Sequence, residues 1–301
     1  MRAPSAPTLV VTGANGYIGA AVVGSAERAG ARVHALARRP PGTAGGGVTW
    51  FPYDLGEEPP DDALAGAGAV IHLAIANEAG GAADGADPNV TGTARLLAAA
   101  RRSGVPRFVF VSSQSAASGA ASAYARGKLA AEALLTEPEE IAVRPGMVYG
   151  GARAGLYGRL CALVERARVL PVPRAGAPVQ PVHVEDLAAG LVALALGPAP
   201  SRRLYQLGEP QPIAFAAFLR AIARFRFGHG LAVIPVPLGP LPGLVRAAGR
   251  WNRGLAALGE RLAGLDAVAA MDTASSLAAA GLALRDVEAA LRREAAAERA
   301  R

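Results

Sequence analysis

Thr8-Leu9-Val10-Val11-Thr12-Gly13-Ala14-Asn15-Gly16-Tyr17-Ile18-Gly19 reads as a buried strand, a glycine turn and the start of a helix. Leu9 to Val11 form a short apolar run rich in β-branched residues, as a strand covered on both faces requires. Gly13 suits a tight turn with positive φ. Gly16 has no side chain where backbone would approach a pyrophosphate. Gly19 lets the helix pack closely on the strand. The helix is expected over residues 17–29, and the N–H groups of its first turn favour a phosphate. The glycine spacing is G-x-x-G-x-x-G, one residue different from the usual dinucleotide pattern G-x-G-x-x-G.

Outward from this turn the pattern alternates. Strands are expected at 32–36, 48–53, 69–74, 107–113, 141–150 (with its turn) and 204–208, with helices between them. Asp87 is a candidate N-cap with Pro88 at the first helical position. Residues 80–87 read as a small-residue loop, 153–169 and 213–225 as helices, 172–178 as a loop and 231–236 as extended. The segment 241–265 reads as a helix with arginines between its apolar residues, and 285 to the C-terminus as a charged helix. Alternating strands and helices imply an α/β fold with a parallel sheet, whose ligand lies at the strand carboxyl ends.

Composition bounds the function. The chain has 301 residues, 51% of them hydrophobic, enough for one large domain or two interleaved ones. Its net charge is +7, but the arginines are scattered and lack interleaved aromatics, so an anionic small molecule is expected and nucleic acid is not. The apolar runs are too short for a membrane span. Residues 1–7 lack the apolar core of a signal peptide. The single cysteine, Cys161, fits a reducing compartment and a buried, unreactive side chain; a cytoplasmic location is expected. No other His or Cys is placed to share a metal with His72, which reads as a core histidine.

The end of the second strand, where an adenosine ribose would sit, carries Arg38 and Arg39 and no acid. That favours the 2′-phosphate of NADP(H) over the 2′-hydroxyl of NAD(H). Of 31 Lys plus Arg residues only Lys128 is lysine, which suggests a site that needs a compact ammonium. Tyr124 stands four residues before it, so on a helix the two share a face. A phenol titrates near pH 10 and donates poorly at neutrality; a neighbouring ammonium lowers that value. Tyr124 then suits a general acid for carbonyl reduction. Ser112-Ser113, at a strand end just upstream, offers a hydroxyl to a substrate oxygen.

Together Thr-Gly-Ala-Asn-Gly-Tyr-Ile-Gly, Tyr124-Ala-Arg-Gly-Lys128 and Arg144-Pro-Gly-Met-Val-Tyr-Gly150 resemble the short-chain dehydrogenase/reductase superfamily, in its extended epimerase/dehydratase-like branch with some atypical-branch features. The resemblance runs strongly over residues 8–150 and weakly after 208. It implies a Rossmann-type doubly wound sheet with a smaller C-terminal substrate lobe. Residues 1–150 and 178–207 would form the dinucleotide domain, and 151–177 with 208–301 the lobe. It implies a Ser-Tyr-Lys triad of Ser113, Tyr124 and Lys128, with Ser112 the alternative to Ser113. Lys128 and Tyr124 would also hold the nicotinamide ribose. Cofactor contacts would come from Gly13, Asn15, Gly16, Tyr17, Ile18 and Gly19, from Arg38 and Arg39, from Asp54 and Leu55 at the adenine, from Leu73 and Ala74, and from Pro145 and Val148 near the nicotinamide. Asn89 would support the site from behind. His183 and Asp186 are expected to pack and to cap a helix start. Ser113 and Tyr124 are only 11 positions apart (124 − 113), shorter than extended members usually have, which suggests an open substrate entrance.

The expected activity is NADPH-dependent reduction of a ketone or aldehyde, the partner being a small carbonyl or alcohol; a homodimer is left open. Two alternatives accompany it. One is a nucleotide-sugar epimerase or dehydratase; retained-NAD epimerases favour an acid where Arg38 stands, and 4,6-dehydratases carry Asp-Glu where this chain has Gln114-Ser115. The other is a non-catalytic NADP(H)-binding or redox-sensing protein, a group that often lacks the Tyr-Lys pair.

Overall fold

A computed structural model describes residues 6–41, 46–76, 87–116, 122–236 and 270–300. The expected loop at 80–87, apart from Asp87, and the expected helix at 241–265 lie outside these residues.

Seven strands form one parallel sheet. They are β1 (Thr8–Thr12), β2 (Arg32–Ala37), β3 (Val48–Pro52), β4 (Ala69–His72), β5 (Arg107–Val111), β6 (Glu140–Pro145) and, late in the chain, β11 (Leu204–Leu207). Their order is β3-β2-β1-β4-β5-β6-β11. β1, β4 and β5 are buried along their whole length, as expected of parallel strands covered on both faces. Thr12 is in register with both Leu36 and His72, and Val111 with Val143, so the carboxyl ends form one rim. The order reverses between β1 and β4, and the crevice above that switch is where an open α/β sheet takes its ligand.

Helices α1 (Tyr17–Arg28) and α6 (Val184–Leu196) cover one face through Val22, Ala26, Leu187 and Leu191. The other face packs against α2 (Asp61–Leu64), α3 (Pro88–Arg102) and α4 (Ala123–Glu132) through Leu64, Leu96, Leu97 and Ala131. Caps fix both helix starts near the rim. Asp87 Oδ1 accepts from the Asn89 amide at 2.8 Å, with Pro88 in the first turn of α3. Ser122 Oγ accepts from the Ala125 amide at 3.1 Å, starting α4.

A further core joins α5 (Gly155–Arg166), α7 (Phe215–Ala221) and α9 (Val287–Arg299), centred on Tyr149, Tyr157, Phe215, Phe218 and Leu291. Three departures from the sequence reading fall in this half. The expected loop at 172–178 begins inside β8 (Val169–Pro173), which pairs with β13 (Ala232–Val236). The expected single helix 213–225 is interrupted: Ile213–Ala214 pairs with Pro178–Val179, α7 follows, and Ile222–Arg226 widens into a π-turn that turns Arg226 inward, where it is buried. The unexpected helix α8 (Thr273–Ala280) puts Leu277 against the sheet core, with Leu282 and Leu284 beside it. Residues 273–284, assigned to the lobe from sequence, therefore pack on the sheet. Among the described residues no helix is long and apolar enough to cross a membrane.

Candidate active site at the strand carboxyl ends

The glycine turn is fixed by close backbone approach. Gly13 has φ +67°, and a Cβ there would lie 2.9 Å from the Ala74 amide nitrogen. The Gly16 amide donates to the Gly13 carbonyl at 2.9 Å. A Cβ on Gly19 would lie 2.1 Å from that same carbonyl oxygen. Gly16 is the N-cap of α1 and carries no capping side chain, so the first-turn amides face the crevice without an internal acceptor from the cap. Ile18 packs on the core under the turn. Asn15 donates to the Arg39 carbonyl at 3.1 Å, tying the turn to the end of β2. Arg38 and Arg39 are exposed there. Asp54 is exposed and accepts from the Gly56 amide at 3.0 Å, while Leu55 is buried against Gly92. Tyr17 reaches across the crevice to donate to the Gly150 carbonyl at 2.6 Å.

Below the crevice a hydrogen-bond chain sets the end of β4. Thr93 donates to the Asn89 carbonyl at 2.6 Å, so its oxygen accepts from His72 Nε2 at 3.1 Å. His72 Nδ1 must then accept from Thr12, 2.6 Å away. Thr12 Oγ in turn accepts from the Leu73 and Ala74 amides at 3.1 and 3.2 Å. The Leu73 amide is shared between the Thr12 carbonyl, at 3.3 Å, and its side chain, the Ala74 amide turns to the side chain, and β4 ends at His72 although the apolar run continues. Burial, with Lys128 nearby, pulls the His72 pKa down to about 3, so the imidazole is neutral, as this chain of donors requires. His72 is thus a core histidine, and no cluster of metal-ligating side chains occurs among the described residues. Asn89 uses both ends of its side-chain amide: its Oδ1 accepts from the Ala76 amide at 2.8 Å and its Nδ2 donates to Asp87 at 3.1 Å.

Tyr124 and Lys128, one turn apart on α4, line one cavity together with Ala74, Asp87, Asn89 and Phe110. Tyr124 is 48% exposed and stands at the mouth; Lys128 is 6% exposed. The ammonium donates to the Val111 carbonyl at 2.8 Å and lies 4.7 Å above the Phe110 ring. Burial pulls its pKa down to about 8, opposed by the charges of Glu132 and Asp87. The two serines differ. Ser112 is buried and donates to Glu132, whose carboxylate is held by Arg144 at 2.8 and 2.5 Å. Ser113 is half-buried, 3.0 Å from Ser115 Oγ, and outside that cavity wall. Pro145 is buried at the end of β6, its carbonyl accepting from the Gln114 amide at 3.1 Å; Val148 is half-buried on β7 (Met147–Tyr149).

Sequence reasoning missed the Glu132–Arg144 pair, although Glu132 falls one turn after Lys128 and carried that signal. It also missed Glu294, for which the sequence held none. His183 caps α6 through its Nδ1, which accepts from the Glu185 amide at 3.2 Å; Asp186 binds Arg285 at 2.8 Å. Cys161 is fully buried.

The strand order, the glycine turn at the switch and the Tyr-Lys helix beside it define a Rossmann-type fold of the short-chain dehydrogenase/reductase class. The sequence model for the NAD dependent epimerase/dehydratase family matches residues 9–208. The chain belongs to that family. A curated relative, a ceramide reductase of Caulobacter vibrioides (strain NA1000 / CB15N), is 34% identical over 204 residues, 63% of this chain and 61% of that protein. The match therefore spans about three fifths of the relative's length. Among solved structures, UDP-N-acetylglucosamine 4-epimerase from Bacillus cereus has a TM-score of 0.71 at 17% identity, covering 98% of this chain and 97% of its own. The terminal R domain of the myxalamid PKS-NRPS pathway has a TM-score of 0.73 at 19% identity, covering 99% and 92%. A short-chain dehydrogenase/reductase protein from Agrobacterium tumefaciens with bound NAD has a TM-score of 0.71 at 22% identity, covering 97% of each chain. At these identities the likeness is one of fold.

Proposed function

We propose that this chain is an NADP(H)-dependent reductase of a ketone or aldehyde. The observation that carries the reading is the lone lysine, buried in the wall of the cavity whose mouth holds Tyr124. A buried ammonium costs stability, and an adjacent phenol is what such a charge would make acidic.

The residues at the switch fit a dinucleotide. Gly13, Gly16 and Gly19 leave no Cβ in the turn, and the uncapped start of α1 offers amides to a pyrophosphate. Arg38 and Arg39 would take the 2′-phosphate, since no acid stands beside them to favour a free 2′-hydroxyl. Asp54 and Leu55 would flank the adenine; Leu73, Ala74, Pro145 and Val148 would line the nicotinamide end. When bound, the reduced nicotinamide supplies the hydride.

The chain's own residues do the rest. Tyr124 donates its hydroxyl proton to the carbonyl oxygen as negative charge builds there. Lys128 lowers the cost of the phenolate left behind and holds the ribose hydroxyls. Ser113, whose hydroxyl is not committed to an ion pair, donates a hydrogen bond to the same oxygen. The name of the Caulobacter relative, ceramide reductase, supports reduction over epimerisation, as do Arg38 in place of an acid and Gln114-Ser115 in place of Asp-Glu.

Titration of the purified protein with NADPH and NADH, followed by a screen of carbonyl compounds for loss of reduced-nicotinamide absorbance, tests the reading. Tighter binding of NADPH and carbonyl-dependent consumption are expected. Absence of dinucleotide binding, or epimerisation of a nucleotide sugar without net consumption of NADPH, would overturn it.

A further inference from the structure

Gly150 and Gly151, just past β7, are held from both sides. On one side the Tyr17 hydroxyl donates to the Gly150 carbonyl at 2.6 Å. On the other the Gly151 amide donates to Glu294, from the C-terminal helix α9. Gly150 has φ +92°, and a Cβ there would lie 2.2 Å from His183 Nε2 and 2.7 Å from Glu294 Oε1. The space between the strap and α9 is therefore filled, and the strap sits between Tyr17 and Glu294.

Glu294 is a junction. Besides the Gly151 amide it accepts from Tyr157 at 3.0 Å, from His183 Nε2 at 3.1 Å and from Arg226. His183 Nδ1 already accepts from the Glu185 amide, so Nε2 carries the proton and donates. Burial and Arg285 pull the His183 pKa down to about 4, which keeps the ring neutral. The Arg226 guanidinium is buried, bonds Glu298 as well at 2.5 Å, and came inward through the π-turn. Arg153 holds Glu298 at 3.0 Å from the outer side. This much buried charge at one carboxylate costs desolvation that a plain apolar contact would avoid. What it fixes is the position of α9 against the strap.

We infer that Glu294 is a positioning residue for the dinucleotide turn, acting through Gly151, Gly150 and Tyr17. Tyr17 is the first residue of α1, directly after the N-cap Gly16. Its ring is the lever by which the strap sets the first-turn amides that would face a pyrophosphate. Val148, proposed above beside the nicotinamide, lies in β7 directly before the strap, so one clamp sets both the phosphate end and the nicotinamide end of the crevice. The far C-terminal helix is thus part of the cofactor site without lining it. This inference rests on the dinucleotide site proposed above and adds a residue outside the matched family region, 9–208.

The test uses the whole protein and reads binding, not turnover. Tyr17→Phe removes one hydroxyl. Glu294→Gln combined with Arg226→Met removes the buried charges together, so that no unpaired arginine is left to unfold the chain. NADPH binding is followed by fluorescence titration, and thermal unfolding is recorded for every variant. Binding of 2′-AMP, which has the 2′-phosphate but no pyrophosphate, is measured by competition. Each change is expected to weaken NADPH about 3- to 10-fold, on the scale of one lost hydrogen bond, and to leave 2′-AMP competition within about twofold. The triple variant is expected to be no weaker than the worse of its parents, because both act through one strap. If wild type binds NADPH and the variants bind it equally well, or lose NADPH and 2′-AMP alike, or combine additively, Glu294 is only a structural residue. If wild type binds no dinucleotide, the proposed function falls and this inference with it.

Discussion

Ser112 donates its hydroxyl to the Glu132 carboxylate, while the hydroxyl of its neighbour Ser113 lies 3.0 Å from that of Ser115. Glu132 lies on the helix that carries Tyr124 and Lys128, and Arg144, its ion-pair partner, immediately precedes Pro145. One partly buried carboxylate therefore ties the serine strand, the Tyr-Lys helix and the β6 end together. The two serines are expected to respond differently to alanine. Ser113→Ala should lower kcat about 10²-fold, the scale of one lost donor to a developing oxyanion, with little change in Tm. Ser112→Ala should cost about 1–2 kcal/mol of stability through the lost hydrogen bond to the charged Glu132 and lower kcat far less. Steady-state kinetics beside thermal unfolding decide it; the reverse pattern would give the role to Ser112.

Tyr124→Phe isolates the proton. The ring stays at the cavity mouth and only the hydroxyl is lost. Turnover is expected to fall by about 10²- to 10⁴-fold, the range of a general acid, while NADPH affinity measured by fluorescence changes less than about threefold. A variant that keeps its activity would remove Tyr124 from the mechanism.

Lys128 should make rate and stability move in opposite directions above pH 8. Its pKa in the folded chain is about 8, below the unfolded value of about 10.4. The ammonium that supports Tyr124 is present below pH 8, so kcat for reduction should fall as pH rises through that value. Between about pH 8 and 10.4 the unfolded chain binds the extra proton, so this group's contribution to stability rises with pH. Its burial cost is fully present at neutrality. Lys128→Met should be nearly inactive yet at least as stable at pH 7, and its Tm should gain less between pH 8 and 10 than that of wild type. A falling wild-type Tm relative to Lys128→Met across that window would contradict the assignment.

Arg38→Ala reads the cofactor choice. The guanidinium is exposed at the end of β2, so the substitution should leave the fold intact. Paired titrations should show NADPH weakened about tenfold or more, and NADH within about twofold, as loss of a charge-assisted bond to phosphate requires. Equal weakening would withdraw support for the 2′-phosphate. Arg39 provides the contrast: its carbonyl already serves Asn15, and its side chain should matter less if Arg38 is the principal contact.

The half of the fold nearest the glycine turn was legible because its signals are local. Strand runs, the Asp87-Pro88 cap and the Tyr-Lys spacing each lie within a few residues, and the structure places them where period and propensity put them. Boundaries failed where a side chain overrode the run, as when Thr12 takes the amides after His72. The second core was poorly legible. Its two-residue strands and π-turn depend on partners far along the chain, such as Pro178–Val179 against Ile213–Ala214, and short polar-bounded segments carry little periodicity. Ser112's engagement with Glu132 could not be told from Ser113's contact with Ser115, since both are serine and only the third dimension separates them. Glu294 is one of several glutamates on a charged helix, with nothing in its neighbours to mark it.

Gly19 offers the sharpest test of the turn itself. A Cβ at Gly19 would lie 2.1 Å from the Gly13 carbonyl oxygen, a backbone atom that cannot swing aside as a side-chain end could. Gly13 has no slack to give, because a Cβ's breadth away stand the Leu73 and Ala74 backbones, which Thr12 fixes. Gly19→Ala should therefore push α1 off β1, costing about 2–3 kcal/mol as an overpacked core does and displacing the amides that would meet a phosphate. NADPH affinity should fall with it, by tenfold or more. Gly24 on the same helix is the control: its Cβ would meet only the end of the Arg28 side chain at 3.5 Å. Gly24→Ala should raise stability by about 0.5–1 kcal/mol through helix propensity and leave NADPH binding as it was. If Gly19→Ala behaves like Gly24→Ala in both unfolding and titration, the turn is not the tight cradle these contacts describe.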